Sequence, residues 1–292
     1  MNHSQFVVRA GAKVRLKNYD PGFTGDFADE RDARQSVGKD SAELAKYQDI
    51  LLAHETCAVL ALFQGMDGAG KDGTIKHVLS SADPQGCKVA MFDKPSEKEY
   101  KHVYLRRYME ALPEKGQIGI FNRSYYEQVV AERVHKEKLE EWKQPAETKG
   151  KGIWERRYRE INNFEQYLAD NGVRILKFFL HLSKEKQLER LLERTQLPEK
   201  KWKFSSNDIE ERGYWDENMK VYEEVLSKTT TKAAPWHVIP ADNRWFTCAA
   251  VSSVIVSTLK SLHSRYPTMS KEQREKMAKA QKLLEREQKA RR

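Results

Sequence analysis

The chain is predicted to fold as an α/β protein, a five-stranded parallel sheet covered by helices on both faces. Three observations predict it. Five short apolar runs, at 58–63, 88–92, 117–121, 174–182 and 236–240, have the length and the β-branched or aromatic content of buried strands. Segments with helical periodicity separate them, the order that parallel pairing through crossovers requires. The first run leads at once into three glycines, Gly65, Gly68 and Gly70, then into Lys71 and an apolar-periodic segment carrying Ile75, Val78 and Leu79.

The elements follow in order. Residues 1–38 mix isolated apolar residues with Gly, Asp, Arg and one Pro, and read as an extended arm. Asp40 or Ser41 is placed to cap a helix running to about 54, with Leu44, Tyr47, Leu51 and Leu52 on one face. The first strand, the glycine loop and its helix come next. Asp83-Pro84-Gln85-Gly86 is a turn before strand 88–92. Pro95 and Ser96 open a helix to about 112, and residues 113–116 turn the chain into strand 117–121. A helix is expected from Tyr125 to about 134. The stretch 136–152 is charged, contains Pro145, Gly150 and Gly152, and reads as a loop. Residues 153–170 are helical, with Asn171-Gly172 as the stop signal. Strand 174–182 leads into a helix at 184–195. Ser205 and Asp208 have the spacing of a capping box, opening one long helix to about 227. Strand 236–240 and a helix at 245–263 complete the packed part. From Ser270 the chain lacks aromatics and carries Glu272/Lys276, Glu275/Lys279, Glu285/Lys289 and Glu287/Arg291 as i,i+4 pairs, a solvated or partner-docked helix.

Composition sets limits. A mean hydropathy of −0.79 and 33% charged residues describe a soluble protein. No N-terminal stretch joins basic residues to a long apolar core, so no signal peptide is expected, and the longest uncharged run, 245–259, is too short and too rich in Ser and Thr for a membrane span. Cys57, Cys87 and Cys248 are odd in number and far apart, which fits buried thiols in a cytoplasmic protein without zinc. The formal net charge is +9, but nine Lys or Arg against four Glu between residues 271 and 292 supply +5 of it. Overall basicity is thus a weak argument for a polyanionic partner, and the position of the charges matters more.

The glycine loop carries the chemistry. Gly65-x-x-x-x-Gly70-Lys71 has P-loop spacing: glycines let backbone N–H groups face a phosphate, the helix N-terminus adds positive potential, and the lysine adds a point charge. The hydroxyl residue expected after the lysine is replaced by Asp72, with Thr74 two residues on. A divalent metal would then be held differently, with Asp67 and Thr74 as the nearest candidates. Strand 117–121 ends in Asn122-Arg123-Ser124, beside the loop in a parallel sheet. Asn122 stands where many P-loop enzymes place an acid, which again shifts metal binding to Asp67. Arg123 could clamp a phosphate with its planar fork. Ser124 with Glu127 could equally be a capping box. Arg190 and Arg194 lie one helical turn apart, and Lys200, Lys201 and Lys203 surround Trp202. They suit a flap that neutralises phosphoryl charge, or a solvated face laced with Glu189 and Glu193. Lys88 and Asp93 are read at the carboxyl end of the second strand, either meeting a second phosphate-bearing substrate or merely ending a strand.

FQGMDGAGKDGT, KVAMFDKPSEKEYKHVYLRR, FNRSYYEQVVAERV and KKWKFSSNDIEER together resemble the type-two polyphosphate kinases, over about residues 13–267. The resemblance implies a P-loop kinase-like three-layer fold with a helical lid, similar to thymidylate kinases. It implies transfer of a terminal phosphoryl group between inorganic polyphosphate and a nucleoside mono- or diphosphate of adenine or guanine, with Mg2+. By motif, Asp67, Lys71, Arg123 and Arg190 are implied as catalytic, and Asp67 as the metal ligand. Gly68, Ala69, Gly70, Asp72, Gly73, Thr74, Lys88, Asp93, Asn122, Ser124, Glu127, Arg133, Arg194, Lys200, Lys201 and Lys203 are implied as phosphate- or nucleotide-binding. The implied organisation is an arm at 1–38, a catalytic domain at 39–267 with its lid at about 184–228, and a charged helical tail at 268–292. A dimer or tetramer is implied, with no nucleic-acid or membrane partner. Two rivals remain: an ATP-dependent nucleoside monophosphate kinase, which would want a purine pocket for its donor, and a non-enzymatic polyanion-binding module.

Overall fold

The computed structural model describes residues 1–291. The five strands are β1 (Ala58–Gln64), β2 (Cys87–Met91), β3 (Ile118–Asn122), β4 (Val173–His181) and β5 (Trp236–Pro240). They form one sheet in the order β2-β3-β1-β4-β5, and every pairing is parallel. Central β1 is buried along its whole length, which is why it reads as an unbroken apolar run and not as an alternating one. Its register sets Phe63 beside both Asn122 and Phe178, so β1, β3 and β4 end along one edge. The strand order reverses at β1, and such a switch point opens a crevice at the carboxyl edge.

The helices are α1 (Glu30–His54), α2 (Lys71–Val78), α3 (Arg106–Met109), α4 (Ala131–Val134), α5 (Glu137–Glu140), α6 (Ile153–Asp170), α7 (Lys184–Gln196), α8 (Ser206–Gly213), α9 (Trp215–Thr229), α10 (Arg244–Ser261) and α11 (Lys271–Ala290). Val59, Ala61 and Phe63 of β1 point into a core built with α1, α2 and α10. Leu60 and Leu62 point the other way, into a core with α6 and α9. The sheet is therefore covered on both faces, as expected for three layers.

The arm is part of the packed body. Phe6, Val8, Val14 and Leu16 are buried. Val8 N–H donates to Trp236 O (2.9 Å) and Val238 N–H donates to Phe6 O (2.8 Å), so the arm caps the open edge of β5. α1 begins at Glu30, well before Asp40 or Ser41, and its cap is Asp29, whose side chain accepts from Asp32 N–H at 2.9 Å. Only Ala33 and Val37 are buried before Leu44, and Gly38 lies between them and Leu44, so the first turns carry little periodic signal.

Three expected helices are divided. Between 96 and 112 only a 3-10 turn at Glu99–Lys101 and α3 form, because Ser96 and Glu99 close on a single turn and His102 is extended (φ −114°, ψ 170°). From Tyr125 a 3-10 turn (Tyr125–Gln128) precedes α4. Both tyrosine hydroxyls donate to one Glu165 carboxylate oxygen, each at 2.8 Å, and adjacent residues of a regular α-helix do not face one way. The 205–227 helix breaks at Gly213–Tyr214 into α8 and α9. The stretch 136–152 is more than a loop: it holds α5, and buried Trp142 donates its Nε1–H to Glu132 at 2.6 Å.

α11 starts with a capping box between Ser270 and Gln273 and buries no residue. Glu272–Lys276 and Glu287–Arg291 pair along it as expected. Among the described residues no helix is long and apolar enough to cross a membrane.

Candidate active site

The glycines of the loop meet specific demands. Gly65 has φ +147°, and a Cβ there would lie 2.8 Å from Leu180 O of β4. Gly70, at φ +96°, turns the chain into α2 in the left-handed conformation that favours glycine. Lys71, the first residue of α2, is 9% exposed. Its Nζ donates to Gly65 O (2.8 Å) and Met66 O (3.4 Å) and lies 3.9 Å from Asp67 Oδ1. Burial lowers its pKa and the Asp67 charge opposes that shift.

Arg123 follows β3 directly. Its backbone is left-handed (φ +62°), unusual for a residue with a long side chain, and its N–H donates to Phe63 O at 3.0 Å. The guanidinium donates to Asp67 Oδ1 at 2.9 Å. Burial would raise the Asp67 pKa, but Lys71, Arg123 and Arg194 outweigh it and hold the carboxyl below its ordinary range. The two residues that depart from P-loop custom meet each other: Asn122 Nδ2–H donates to Asp72 Oδ1 at 2.7 Å, and Lys203 of the flap lies 3.5 Å from Asp72.

α7 holds the loop from the other side. Arg190 donates to Gly68 O (2.9 Å) and Ala69 O (3.1 Å) through Nη1, and to Ala241 O (2.6 Å) and Asp242 O (3.0 Å) through Nη2. Gln187 Nε2–H donates to Asp67 O (2.8 Å), while Gln187 Oε1 accepts from Arg212 of α8 (3.0 Å). Arg194 pairs with Asp208, whose carboxyl is raised by burial and by the Asp67 charge. Asp208 thus serves Arg194 and not the expected cap, and Ser205 makes no capping bond.

These elements enclose a cleft of about 530 Å³ at the carboxyl edge of the sheet. Seven Lys or Arg side chains and five carboxylates line it, an excess of positive charge. Asp67, Gly68, Gly70, Lys71, Asp72, Gly73, Asp93, Asn122, Arg123, Arg190, Arg194, Lys200 and Lys203 are all brought to it. Ala69 lies in the loop but is itself buried, and Lys201 is exposed outside the lining.

Other expected residues are placed elsewhere. Lys88 sits at the amino end of β2, beside Gly119, and donates to Leu112 O at 2.9 Å, so it cannot serve the carboxyl edge. Arg133 is consumed by Glu224, in a two-point pair at 2.6 and 2.7 Å, and by the Tyr158 hydroxyl. Ser124 is fully buried: its Oγ accepts from Tyr126 N–H and donates to Gln64 Oε1. Glu127 accepts from Gln64 Nε2 at 2.9 Å instead of closing a capping box, and its charge is the main reason the Arg123 pKa rises. Thr74 is buried on the α10 side of α2, away from Asp67. Arg190 contacts four main-chain carbonyls, which makes it a scaffold of the loop more than a flap cation. Sequence reasoning missed Gln64, Gln187 and Arg244. Arg244 lines the cleft and pairs with Glu193 at 3.3 Å, and its position just past β5, at the same edge, was the available signal.

A buried lysine under a glycine loop, with arginines arriving from the next strand and from a flap, is an arrangement for moving phosphoryl groups by position and charge. The fold and site define a P-loop phosphotransferase. Known proteins narrow that class. The profile of the family Polyphosphate kinase 2 (PPK2) matches residues 27–267. The ADP-polyphosphate phosphotransferase of Rhodopseudomonas palustris is 46% identical over 275 residues, 94% of this chain and 95% of that protein. The AMP/ADP-polyphosphate phosphotransferase of Meiothermus ruber is 40% identical over 264 residues, 90% of this chain and 95% of that protein. The crystal structure of polyphosphate kinase 2 from Arthrobacter aurescens TC1 superposes with a TM-score of 0.83 at 35% identity, covering 91% and 92% of the two chains. The chain belongs to the polyphosphate kinase 2 family and is a kinase. The non-enzymatic alternative is set aside.

Proposed function

We propose that this kinase moves a terminal phosphoryl group between inorganic polyphosphate and AMP or ADP, accepts the guanine nucleotides as well, and requires Mg2+. The observation that carries the reading is the meeting of Lys71, Asp67 and Arg123 at the floor of a cleft with excess positive charge. A polyanionic donor and an anionic acceptor must be held there against their mutual repulsion. An oxygen of the acceptor's terminal phosphate attacks the terminal phosphorus of polyphosphate. The bond to the shortened chain breaks, and its electron pair leaves with that chain. Lys71 and the loop N–H groups hold the transferring group. Arg123 lies between donor and acceptor. Arg194, Lys200 and Lys203 neutralise charge from the flap, while Arg190 keeps the loop in shape.

The residues present fit Mg2+. Among the described residues no group of three or more His, Cys, Asp or Glu side chains is placed so as to hold a metal ion by itself. That suits an ion held through one carboxylate, Asp67, with substrate phosphates and waters completing its shell. When bound, the ion would neutralise phosphate oxygens and so ease the approach of two anions. We further propose a homo-oligomer working in the cytoplasm. Three free cysteines support that location, with the Cys87 and Cys248 thiols pushed up to about 11 by burial.

The test is a donor and acceptor matrix. Polyphosphate is supplied with AMP, ADP, GMP or GDP, with and without Mg2+. Product formation from an adenine acceptor that stops on metal removal is expected. No transfer from polyphosphate to any acceptor would overturn the proposal.

A further inference from the structure

A second hollow, of about 320 Å³, opens between α1, the first turns of α2 and the start of α10. It meets the catalytic cleft at Gly70, Gly73 and Arg244, which line both. Gly73 adds no side chain at this junction, and a Cβ there would meet no atom within 4 Å. Their walls differ. The cleft is walled by charge, whereas Val37, Ala69, Trp245 and Cys248 make the hollow mainly apolar. Thr74 and His77 add polar groups on the α2 side. At the rim Arg34 is already paired with Glu30.

We propose that this hollow holds the base of a purine nucleoside triphosphate whose phosphates lie on the glycine loop, so that nucleoside triphosphates serve as alternative phosphoryl donors. The inference rests on the loop being the donor site, as argued above. A continuing polyphosphate chain fits the hollow poorly. It bears charge at every repeat, and an apolar wall returns nothing for the hydration lost. A nucleoside triphosphate has charge at one end and a flat apolar body at the other. Trp245 offers such a body a wall, and its ring is braced edge-on by Phe27 and Phe246. The volume lies at the low end of the about 300–1,000 Å³ common for small-molecule sites. The chemistry balances without a further reactant. An acceptor phosphate oxygen bonds to the γ-phosphorus, the bond from that phosphorus to the β–γ bridging oxygen breaks, and the electron pair leaves on the nucleoside diphosphate. A triphosphate and a monophosphate thus yield two diphosphates.

The experiment uses the full chain freed of polyphosphate. ATP is offered with AMP, reading ADP, and GTP is offered with ADP, reading ATP. Polyphosphate with the same acceptors runs in parallel. Wild type is compared with His77→Trp, which fills the mouth from an exposed position, and with Trp245→Ala, which removes the wall. The expected result is transfer from a triphosphate in wild type, and a KM for it raised about tenfold or more in both variants, with polyphosphate-driven turnover kept within about twofold. Transfer from polyphosphate but from neither triphosphate overturns the inference, and so does an equal triphosphate KM in all three proteins. A rise in the polyphosphate KM of His77→Trp without triphosphate transfer assigns the hollow to the polymer and also overturns it. Triphosphate transfer in a wild type that ignores polyphosphate would sustain this site and overturn the preceding section.

Discussion

Arg190→Ala should loosen the phosphate loop and the fold together. The side chain is 4% exposed and ties loop carbonyls at Gly68 and Ala69 to those of Ala241 and Asp242 after β5. Alanine leaves these acceptors without their donor. A hydrogen bond from a charged donor contributes about 1.5–3 kcal/mol. Here one guanidinium serves all four and carries the cost of its burial, which, with the nearby Arg244 charge, lowers its pKa to about 10. The net loss should therefore match one or two such bonds, about 2–4 kcal/mol of stability. Turnover should fall as well, because residues 68 and 69 lose their anchor. Arg190→Lys keeps the charge without the fork and should fall between. Urea unfolding and steady-state kinetics on the same preparations decide the matter. An Arg190→Ala protein within about 0.5 kcal/mol of wild type, yet inactive, would show that the guanidinium acts on the transferring phosphate and that the scaffold reading is wrong.

Lys71→Ala should remove about 3 kcal/mol or more of transition-state stabilisation, roughly a hundredfold in rate, while circular dichroism stays that of the wild type; near-normal turnover would contradict the loop assignment. Asp67→Asn should raise the Mg2+ concentration needed for half-maximal rate, and an unchanged Mg2+ titration would move the ligand elsewhere. The Asp67 carboxyl is depressed in the folded state by Lys71, Arg123 and Arg194 against the effect of burial. Its contribution to stability is thus complete above the ordinary carboxylate range and vanishes as pH falls through the depressed value. The stability gap between wild type and Asp67→Asn should accordingly narrow between about pH 7 and about pH 3 in urea titrations, and a constant gap would refute the pairing. Removing residues 270–292 should leave the maximal rate near that of wild type, because α11 buries nothing, and should weaken long-polyphosphate affinity mainly at low salt; loss of rate in a folded truncation would place the tail at an active site.

The sheet was legible because buried parallel strands write themselves as continuous apolar runs. All five runs are strands, and both 153–170 and 236–240 match their elements end to end. The breaks inside 96–112, 125–134 and 205–227 left no clear mark in the hydrophobic pattern, and the one at 125 is set by a tertiary partner. Tyr125 and Tyr126 leave helical geometry to share Glu165, itself buried with Lys177 at 2.7 Å. Nothing local in YYEQ announces a carboxylate that lies some forty residues on. The same holds for the arm, whose Phe6 and Val8 are isolated apolar residues in sequence and an edge cover for β5 in space.

For the site, spacing could name the loop but not sort its cations. Arg123 follows β3 directly and Lys71 opens the helix after the glycine loop of β1, so a parallel sheet delivers both to one edge, and they converge on Asp67. Arg133 and Arg190 have the same residue type and sit in equally good motifs, yet their guanidiniums are bound to Glu224 and to main-chain carbonyls. An arginine that builds a pocket and one that works inside it need identical chemistry, planar donors aimed at oxygen. They differ only in whose oxygen is nearby, and that is a property of the folded chain. Lys88 shows the complementary case: one strand end was mistaken for the other, and a rise of about 3.3 Å per residue was enough to carry its ammonium from the substrate edge to Leu112 O. Position in a motif therefore does not sort these residues: Ser124, two residues past β3, is buried against Gln64, whereas Arg194, well along α7, reaches the cleft.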